Sequence, residues 1–251
     1  MSHRGTDQLA VGEHDPSPMR TTLLRAGLTV LAVLVLVGVL VGVSVLLRDT
    51  TTQTAEVELG DVPQVALRVP TADVTVVAGD VDVLQVEARV TSGLLDTDYE
   101  LRRRGSEVEV LAGCQAWLNP GCGVAVTVTV PREVPVVLTG GSGDVVLDGL
   151  SGVVGVSTTS GDVRGDALVI GDLTVSARSG DVRAAFAEDP RAVKVGTASG
   201  DVALTLPAEV PYLVDAASTS GGVDVGIDTA DDQVQRFVRV RSDSGDVSVS
   251  R

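Results

Sequence analysis

Serine and aspartate recur at nearly regular spacing along the second half of the chain. The phrase Ser-Gly-Asp-Val occurs five times and Ser-Gly-Gly-Val once, with serine-to-serine steps of 18, 19, 20, 21 and 24 residues. The six serines and the two residues after each are Ser142, Gly143 and Asp144; Ser160, Gly161 and Asp162; Ser179, Gly180 and Asp181; Ser199, Gly200 and Asp201; Ser220, Gly221 and Gly222; and Ser244, Gly245 and Asp246. Two kinds of chemistry use these residue types, because carboxylates bind divalent cations and serine hydroxyls act as nucleophiles.

The aspartates do not follow a known calcium motif. Calcium takes about six to eight oxygen ligands, and the repeat that binds it in β-rolls has a Gly-Gly-x-Gly-x-Asp pattern, which this sequence does not match. Asp after Gly is also an ordinary turn residue, because its side chain can bond nearby backbone. The pattern therefore predicts structural corners, with no metal and no cofactor.

The serines have few possible catalytic partners. A nucleophilic serine needs an adjacent base, but the two histidines, His3 and His14, lie near the N-terminus, and Lys194 is the single lysine. We therefore expect corner serines whose hydroxyls satisfy backbone groups, and a protein that is not an enzyme. The alternative is a polysaccharide-cleaving enzyme that uses carboxylates such as Asp228, Asp231 and Asp232, which cluster in the longest connection between repeats.

Apolar residues hold fixed positions around every serine. They occur six and four residues before it and resume three and five residues after it, as in Val136, Leu138, Val145 and Leu147 around Ser142. Alternate residues of a strand share one face, so each repeat predicts two strands joined by a corner. Equivalent corners favour stacked repeats, and the sequence predicts an all-β, parallel β-solenoid. An antiparallel β-sandwich or meander is the alternative.

The same pattern continues in a weaker form towards the N-terminus. Thr71–Val74 and Gly105–Val108 resemble the corner, and alternating strands are predicted at Val86–Val90 and Val124–Val130. We therefore expect a single repetitive domain over residues 56–251. Its repeats are degenerate over residues 56–131 and regular over residues 132–251, and residues 48–55 are predicted to form a linker.

Residues Ala26–Leu47 form an uncharged apolar run. As a helix it would be about 33 Å long, close to the thickness of the hydrocarbon core of a bilayer. A cleaved signal peptide is the alternative, but its apolar region is typically shorter. Arg20 and Arg25 precede the run, which favours a cytoplasmic N-terminus. The sequence thus predicts a disordered cytoplasmic tail over residues 1–25, a single transmembrane helix and an extracytoplasmic domain in the cell membrane.

Cys114 and Cys122 are the only cysteines of the chain. Asn119–Gly121 supply turn residues just before the second one, so the two thiols can meet. A disulfide between them would require an oxidising compartment, which agrees with an extracytoplasmic domain. Two free thiols in a reduced domain are the alternative.

The formal net charge is −15, and residues 1–49 contain four arginines and four acids. The excess of negative charge therefore belongs to the predicted β domain. Such a surface repels nucleic acid, which argues against a nucleic-acid partner. The one basic run, Arg102–Arg104, is predicted to be a solvated strand end rather than an anion site.

With its apolar run and recurring Ser-Gly-Asp-Val corners, the sequence resembles a family of bacterial, membrane-anchored putative adhesins, whose domain has no assigned function. The resemblance covers roughly residues 56–251. It implies a repetitive β fold at the cell surface and supplies no catalytic residues. The Cys114–Cys122 segment is not part of the family's repeat pattern.

These features together predict an adhesin-like binding or scaffolding protein of the cell envelope. Its expected partners are the membrane and either a cell-wall glycan or a surface protein. The alternative function is that of a membrane accessory protein in envelope-stress sensing or signalling. The last strand, Val247–Val249, has no obvious capping segment after it, so self-association through this C-terminal edge is also expected.

Overall fold

The computed structural model describes residues 28, 30–39, 41–43, 49–58, 64–92, 98–104, 107–113, 122–228 and 234–251, with only the backbone described at 98, 99, 112 and 113. The chain divides into two units, Met1–Leu46 and Leu47–Arg251. In the first unit, residues 28, 30–39 and 41–43 are helical. None of the described helical segments has the length and apolar character needed to cross a bilayer. The predicted tail, and part of the predicted span Ala26–Leu47, lie outside the described residues.

The second unit is built from strands, which confirms the all-β prediction. The strands are β1 (Asp49–Val57), β2 (Val65–Val69), β3 (Asp73–Gly79), β4 (Leu84–Ser92), β5 (Asp98–Arg104), β6 (Glu107–Gly113), β7 (Gly123–Pro131), β8 (Val136–Gly140), β9 (Val145–Asp148), β10 (Ser151–Ser160), β11 (Val163–Ser179), β12 (Val182–Phe186), β13 (Ala192–Ser199), β14 (Val202–Thr205), β15 (Leu213–Ser220), β16 (Val223–Val225), β17 (Phe237–Ser244) and β18 (Val247–Ser250). Because Val suits pleated, half-buried surfaces, the Val-rich alternation of the sequence favours these elements.

The strands form two ladders, which we call sheet A and sheet B. Sheet A has the order β1-β4-β7-β3-β9-β11-β12-β14-β18-β16. Sheet B has the order β5-β6-β2-β8-β10-β11-β13-β17-β15. Strand β11 belongs to both, because it passes from sheet A to sheet B beyond an irregularity between Gly165 and Leu168.

The regular repeats pair in parallel and in register. Each corner joins a strand of sheet B to a strand of sheet A, and we call such a strand pair a rung. Equivalent residues lie opposite each other from rung to rung, as in the pairs Val154 with Leu173 and Val163 with Val182. The antiparallel alternative is therefore wrong for these repeats.

Antiparallel pairing does occur towards the N-terminus. Strand β4 is antiparallel to β1 and β7, and β5 is antiparallel to β6. The prediction of a corner at Gly105–Val108 is therefore wrong, because β5 and β6 are neighbours in one sheet and do not form a rung. The linker predicted at residues 48–55 is also wrong over most of its length, since β1 begins at Asp49. Its polar sequence has no apolar alternation, and it forms a strand by pairing with β4.

The four apolar columns predicted around the corners form much of the core. In the rung of Ser142, for example, Val136, Leu138, Val145 and Leu147 are all buried. The exception is the rung of Ser220, where Val214, Ala216 and Val225 are only partly buried and Val223 is 44% exposed. This rung therefore lies at an end of the apolar core.

The spatial order of the rungs departs from their order in the chain. The last rung in sequence, β17 and β18, lies between the rungs β13/β14 and β15/β16. Strand β18 therefore has a partner on both sides, and the prediction that Val247–Val249 forms an open edge is wrong. Among the described strands, β15 and β16 are the edges at this end of the two sheets.

Candidate binding site

The glycine of the corner phrase lies where consecutive rungs make their closest approach. A Cβ atom on Gly161, Gly180 or Gly200 would come within 2.1 to 2.2 Å of the carbonyl oxygen of the preceding corner glycine. The φ angles of these glycines, between 116° and 137°, are also ones that L side chains rarely adopt. Stacking of the corners therefore requires glycine for two independent reasons.

The aspartate of the phrase links each rung to the next. Its Oδ1 atom accepts a hydrogen bond from the backbone N–H at the equivalent position of the neighbouring rung. The accepting and donating residues are Asp73 and Asp144 (3.0 Å), Asp144 and Asp162 (2.9 Å), Asp162 and Asp181 (2.9 Å), Asp181 and Asp201 (2.9 Å), Asp201 and Asp246 (2.8 Å), and Asp246 and Gly222 (2.7 Å). We call this series the Asp ladder.

A second set of bonds runs in the opposite direction along the same corners. The N–H of the valine after each aspartate donates to the carbonyl oxygen of the next corner, as from Val163 to Asp181 at 2.8 Å. Each interface between corners thus holds a reciprocal pair of bonds. The backbone bond from Asp201, followed by the nearby guanidinium of Arg183, lowers the pKa of the Asp181 carboxyl. The Asp ladder therefore holds the rungs together by charge-assisted bonds.

The carboxylates of the Asp ladder are spread along the rungs, and each has a backbone partner. The described residues contain no cluster of three or more His, Cys, Asp or Glu side chains arranged to hold an ion. One oxygen of each ladder aspartate is already bonded to backbone, as an ordinary turn aspartate would be. The hydrogen bonds of the Asp ladder thus give aspartate a structural role at each of these corners.

The hydroxyl groups that bond the corners come from a position that the sequence analysis did not single out. Thr197 Oγ1 donates to the carbonyl oxygen of Ser199 at 3.2 Å, and Ser218 Oγ donates to the carbonyl oxygen of Gly245 at 2.8 Å. Both residues lie two positions before a corner serine. The corner serines, such as Ser199, are themselves exposed. The signal in the sequence was the residue type, since a small or hydroxyl-bearing residue lies two positions before the serine, at position −2, in every repeat.

The arrangement of the carboxylates considered for polysaccharide cleavage stays a prediction. Asp228 is exposed, while Asp231 and Asp232 lie outside the described residues. In the basic run, Arg102 forms an ion pair with Glu100 at 2.8 Å on the outer surface. Cys114 also lies outside the described residues, so its disulfide with Cys122 stays a prediction.

A cleft of about 370 Å³ lies on the outer face of sheet A, over strands β1, β4 and β7. Two rows of polar residues cross it, each with one residue from each strand. They are Thr54, Glu87 and Thr127 in one row, and Glu56, Gln85 and Thr129 in the other. The backbone register sets both rows, because outward-facing residues of adjacent strands lie side by side.

The chemistry of this cleft is that of hydrogen bonding. It offers hydroxyl, amide and carboxylate groups, which together donate and accept. Arg89 Nη2 donates to Glu87 Oε1 at 3.1 Å, so one of the two carboxylates is already paired. The cleft could not be predicted from the sequence pattern because most of β1 was predicted to be a linker. Three of the lining residues, Thr54, Ala55 and Glu56, come from that strand.

Parallel rungs, a valine core and glycine–aspartate corners define an all-β repeat protein. Residues 134–250 match the model of the family described as Toastrack DUF4097, and this range contains all six Ser-Gly corners. This part of the chain is similar to that family, and the predicted resemblance to a domain family of unassigned function is confirmed. No curated protein matches the chain.

Solved structures of bacterial proteins are similar to this chain at low sequence identity. A putative cell adhesion protein from Clostridium sporogenes has 12% identity and a TM-score of 0.48, with 80% of this chain and 99% of that chain covered. A putative adhesin from Bacteroides fragilis has 12% identity and a TM-score of 0.43, with 80% and 96% covered. A putative lipid binding protein from Parabacteroides distasonis has 12% identity and a TM-score of 0.37, with 81% and 97% covered. The similarity to the family rests on the match of residues 134–250.

Proposed function

We propose that this chain is a surface protein of the cell envelope whose β domain is a non-enzymatic, adhesin-like binding or scaffolding module. The cleft over β1, β4 and β7 is the observation that carries the proposal. Reciprocal hydrogen bonds at every described corner support a rigid β-solenoid, on which outward side chains keep fixed positions. A rigid surface favours binding because few side chains need to be ordered when the ligand arrives.

The ligand that suits this cleft is a neutral, hydroxyl-rich glycan. Thr127, Thr129 and Gln85 can donate to and accept from sugar hydroxyls, and Glu56 can accept. An anionic polymer would be repelled by a chain of net charge −15. The glycans of a cell wall or of a neighbouring cell surface offer the required chemistry.

The experiment is a binding array of neutral and anionic glycans probed with the purified chain. The double variant Gln85→Ala/Thr129→Ala should weaken binding to neutral glycans by about tenfold, because two hydrogen bonds are lost. Thr205→Ala is the matched control, since it removes an exposed hydroxyl from β14 in the same sheet. Absence of binding to any glycan, or equal loss in the control, would contradict the proposed site.

We further propose that residues 26–47 anchor the domain in the membrane, with the N-terminus in the cytoplasm. The uncharged sequence supports this proposal, and so does the exposure of the helical side chains, from Leu28 at 69% to Val43 at 36%. Val35→Arg/Val37→Arg should release the chain from membranes during alkaline extraction, because each arginine disfavours insertion by roughly 2.5–3.5 kcal/mol. Val35→Leu/Val37→Leu is the control, and a membrane-free wild-type chain would refute the anchor.

A further inference from the structure

The fifth corner in the chain has Gly222 where the other five have aspartate. In chain order, this departure falls between Asp201 and Asp246 and has no evident reason. In space, the order is Asp201, Asp246 and then Gly222, because the rung β17/β18 lies between β13/β14 and β15/β16. The residue without a carboxylate therefore occupies the last position of the Asp ladder.

Local geometry does not require glycine at this position. A Cβ atom on Gly222 would meet Asp246 Oδ1 at 3.5 Å, an ordinary van der Waals contact. Its neighbour Gly221 is different, because a Cβ atom there would lie 2.1 Å from the carbonyl oxygen of Gly245. Steric constraint thus explains Gly221 and leaves Gly222 without an explanation.

Two rung orders are compatible with the strand registers. Phe237 lies opposite Ala192 on one side and opposite Leu213 on the other. Strand β15 could therefore stack on β13 directly and keep the same register, with β17/β18 at the end. The sequence of the strands alone does not exclude this sequential order.

The two orders differ in their ladder bonds. In the observed order, Asp201 accepts from the N–H of Asp246, and Asp246 accepts from the N–H of Gly222. In the sequential order, Gly222 would donate to Asp201 but would offer no carboxylate to the N–H of Asp246. One charge-assisted hydrogen bond would be lost, which favours the observed order by about tenfold.

We propose that Gly222 selects the rung order. A rung at the end of the Asp ladder has no further rung to bond, so the β15/β16 rung, which lacks the carboxylate, can lie there without the loss of a hydrogen bond. The apolar columns are consistent with this order. The inserted rung carries Val238, Val240, Val247 and Val249, all buried, whereas the terminal rung has Ala216 in the corresponding column. The terminal corner also offers no carboxylate to a further rung, so the Asp ladder ends there.

The rung order can be measured with pairs of introduced cysteines in the full-length chain. Ser199 lies opposite Ser244 in the observed order, and Ser244 lies opposite Ser220. Paired Cα atoms of adjacent strands lie about 5 Å from each other, which is within disulfide range. Equivalent Cα atoms separated by one intervening strand lie about 10 Å from each other, which is too far for a disulfide. The pair S199C/S244C should therefore cross-link in the observed order, and S199C/S220C in the sequential one.

The deciding variant is the exchange Gly222→Asp/Asp246→Gly, which moves the carboxylate from the β17/β18 rung to the β15/β16 rung. It should raise the ratio of S199C/S220C to S199C/S244C cross-linking by about 100-fold, because it removes one ladder hydrogen bond from the observed order and adds one to the sequential order. Gly222→Asp alone should raise the ratio by about tenfold. Gly226→Asp, which adds a carboxylate outside the Asp ladder, should leave it unchanged.

An unchanged ratio in a folded exchange variant would overturn the proposal. If the exchange variant loses its β-type circular dichroism, Gly222→Asp alone decides, because position 222 has room for the new side chain. A ratio equal to that of the wild-type chain would then refute selection by Gly222. An equal rise in Gly226→Asp would refute it as well, since added charge would then be the cause.

Discussion

The carbonyl oxygen of Gly161 lies 2.2 Å from the position that a Cβ atom on Gly180 would occupy. The two glycines are equivalent residues of consecutive rungs. Their close approach brings the corner backbones near enough for Asp162 Oδ1 to accept from the N–H of Asp181 at 2.9 Å. Glycine and aspartate therefore recur together, because the hydrogen bond that the aspartate accepts requires the close approach that only the small glycine allows.

Gly180→Ala should lower the free energy of unfolding by about 3 kcal/mol, from steric overlap with the neighbouring corner and from the unfavourable φ of 118°. Urea unfolding of the purified chain measures the change. Gly196→Ala is the matched control, since a Cβ atom there meets nothing within 4 Å. It should be neutral or stabilise by roughly 0.5–1 kcal/mol. Equal loss in both variants would contradict the role of close corner packing.

The stability of the domain should fall at acidic pH. The backbone bond from Asp201 and the pairing with Arg183 lower the pKa of Asp181 below its ordinary value of 3.8. A carboxyl with a lowered pKa in the folded state stabilises it above the unfolded pKa, and this stabilisation is lost as the pH falls through the folded pKa. Asp181→Asn should therefore flatten the dependence of the urea midpoint on pH below about 4. Asp243→Asn, which removes a carboxylate outside the Asp ladder, is the control.

A second pH effect should occur at alkaline pH. Burial, followed by the nearby carboxylate of Asp189, raises the pKa of Tyr212 from 10.0 to about 12. A raised pKa means that the stabilisation is complete below the unfolded pKa and is lost as the pH rises through the folded pKa. The urea midpoint should fall between about pH 10 and 12, and Tyr212→Phe should remove this component. Tyr99→Phe, which removes the other phenol, serves as the control; an equal effect there would contradict the assignment.

The buried hydroxyls at position −2 should not contribute equally to stability. Ser242 Oγ is buried and has no hydrogen-bond partner among the described residues, while Thr197 Oγ1 donates to the carbonyl oxygen of Ser199. Ser242→Ala should be neutral or raise the free energy of unfolding by up to about 1 kcal/mol, because no bond is lost. Thr197→Val, which keeps the shape, should lower it by about 1 kcal/mol. The reverse ranking in thermal unfolding would show that the hydroxyl of Ser242 is bonded.

The local pattern of the sequence determined the repeat unit. Alternation of Val with polar residues defined strands, and the fixed apolar positions around Ser142 and its equivalents identified the buried columns. The phrase Ser-Gly-Asp-Val identified the corners, because close backbone approach needs glycine and a turn aspartate bonds backbone. These features depend on neighbours within about ten residues, so a linear pattern contains them.

Only the tertiary structure decided which rungs are neighbours. The insertion of β17/β18 beside β13, the antiparallel pairing of β5 with β6, and the recruitment of Asp49–Val57 as a strand all depend on contacts between distant segments. Strands of equal register are interchangeable in a linear pattern, and a polar edge strand has no apolar signature. The cleft over β1, β4 and β7 and the terminal position of Gly222 follow from that long-range pairing, so neither could be predicted from the sequence.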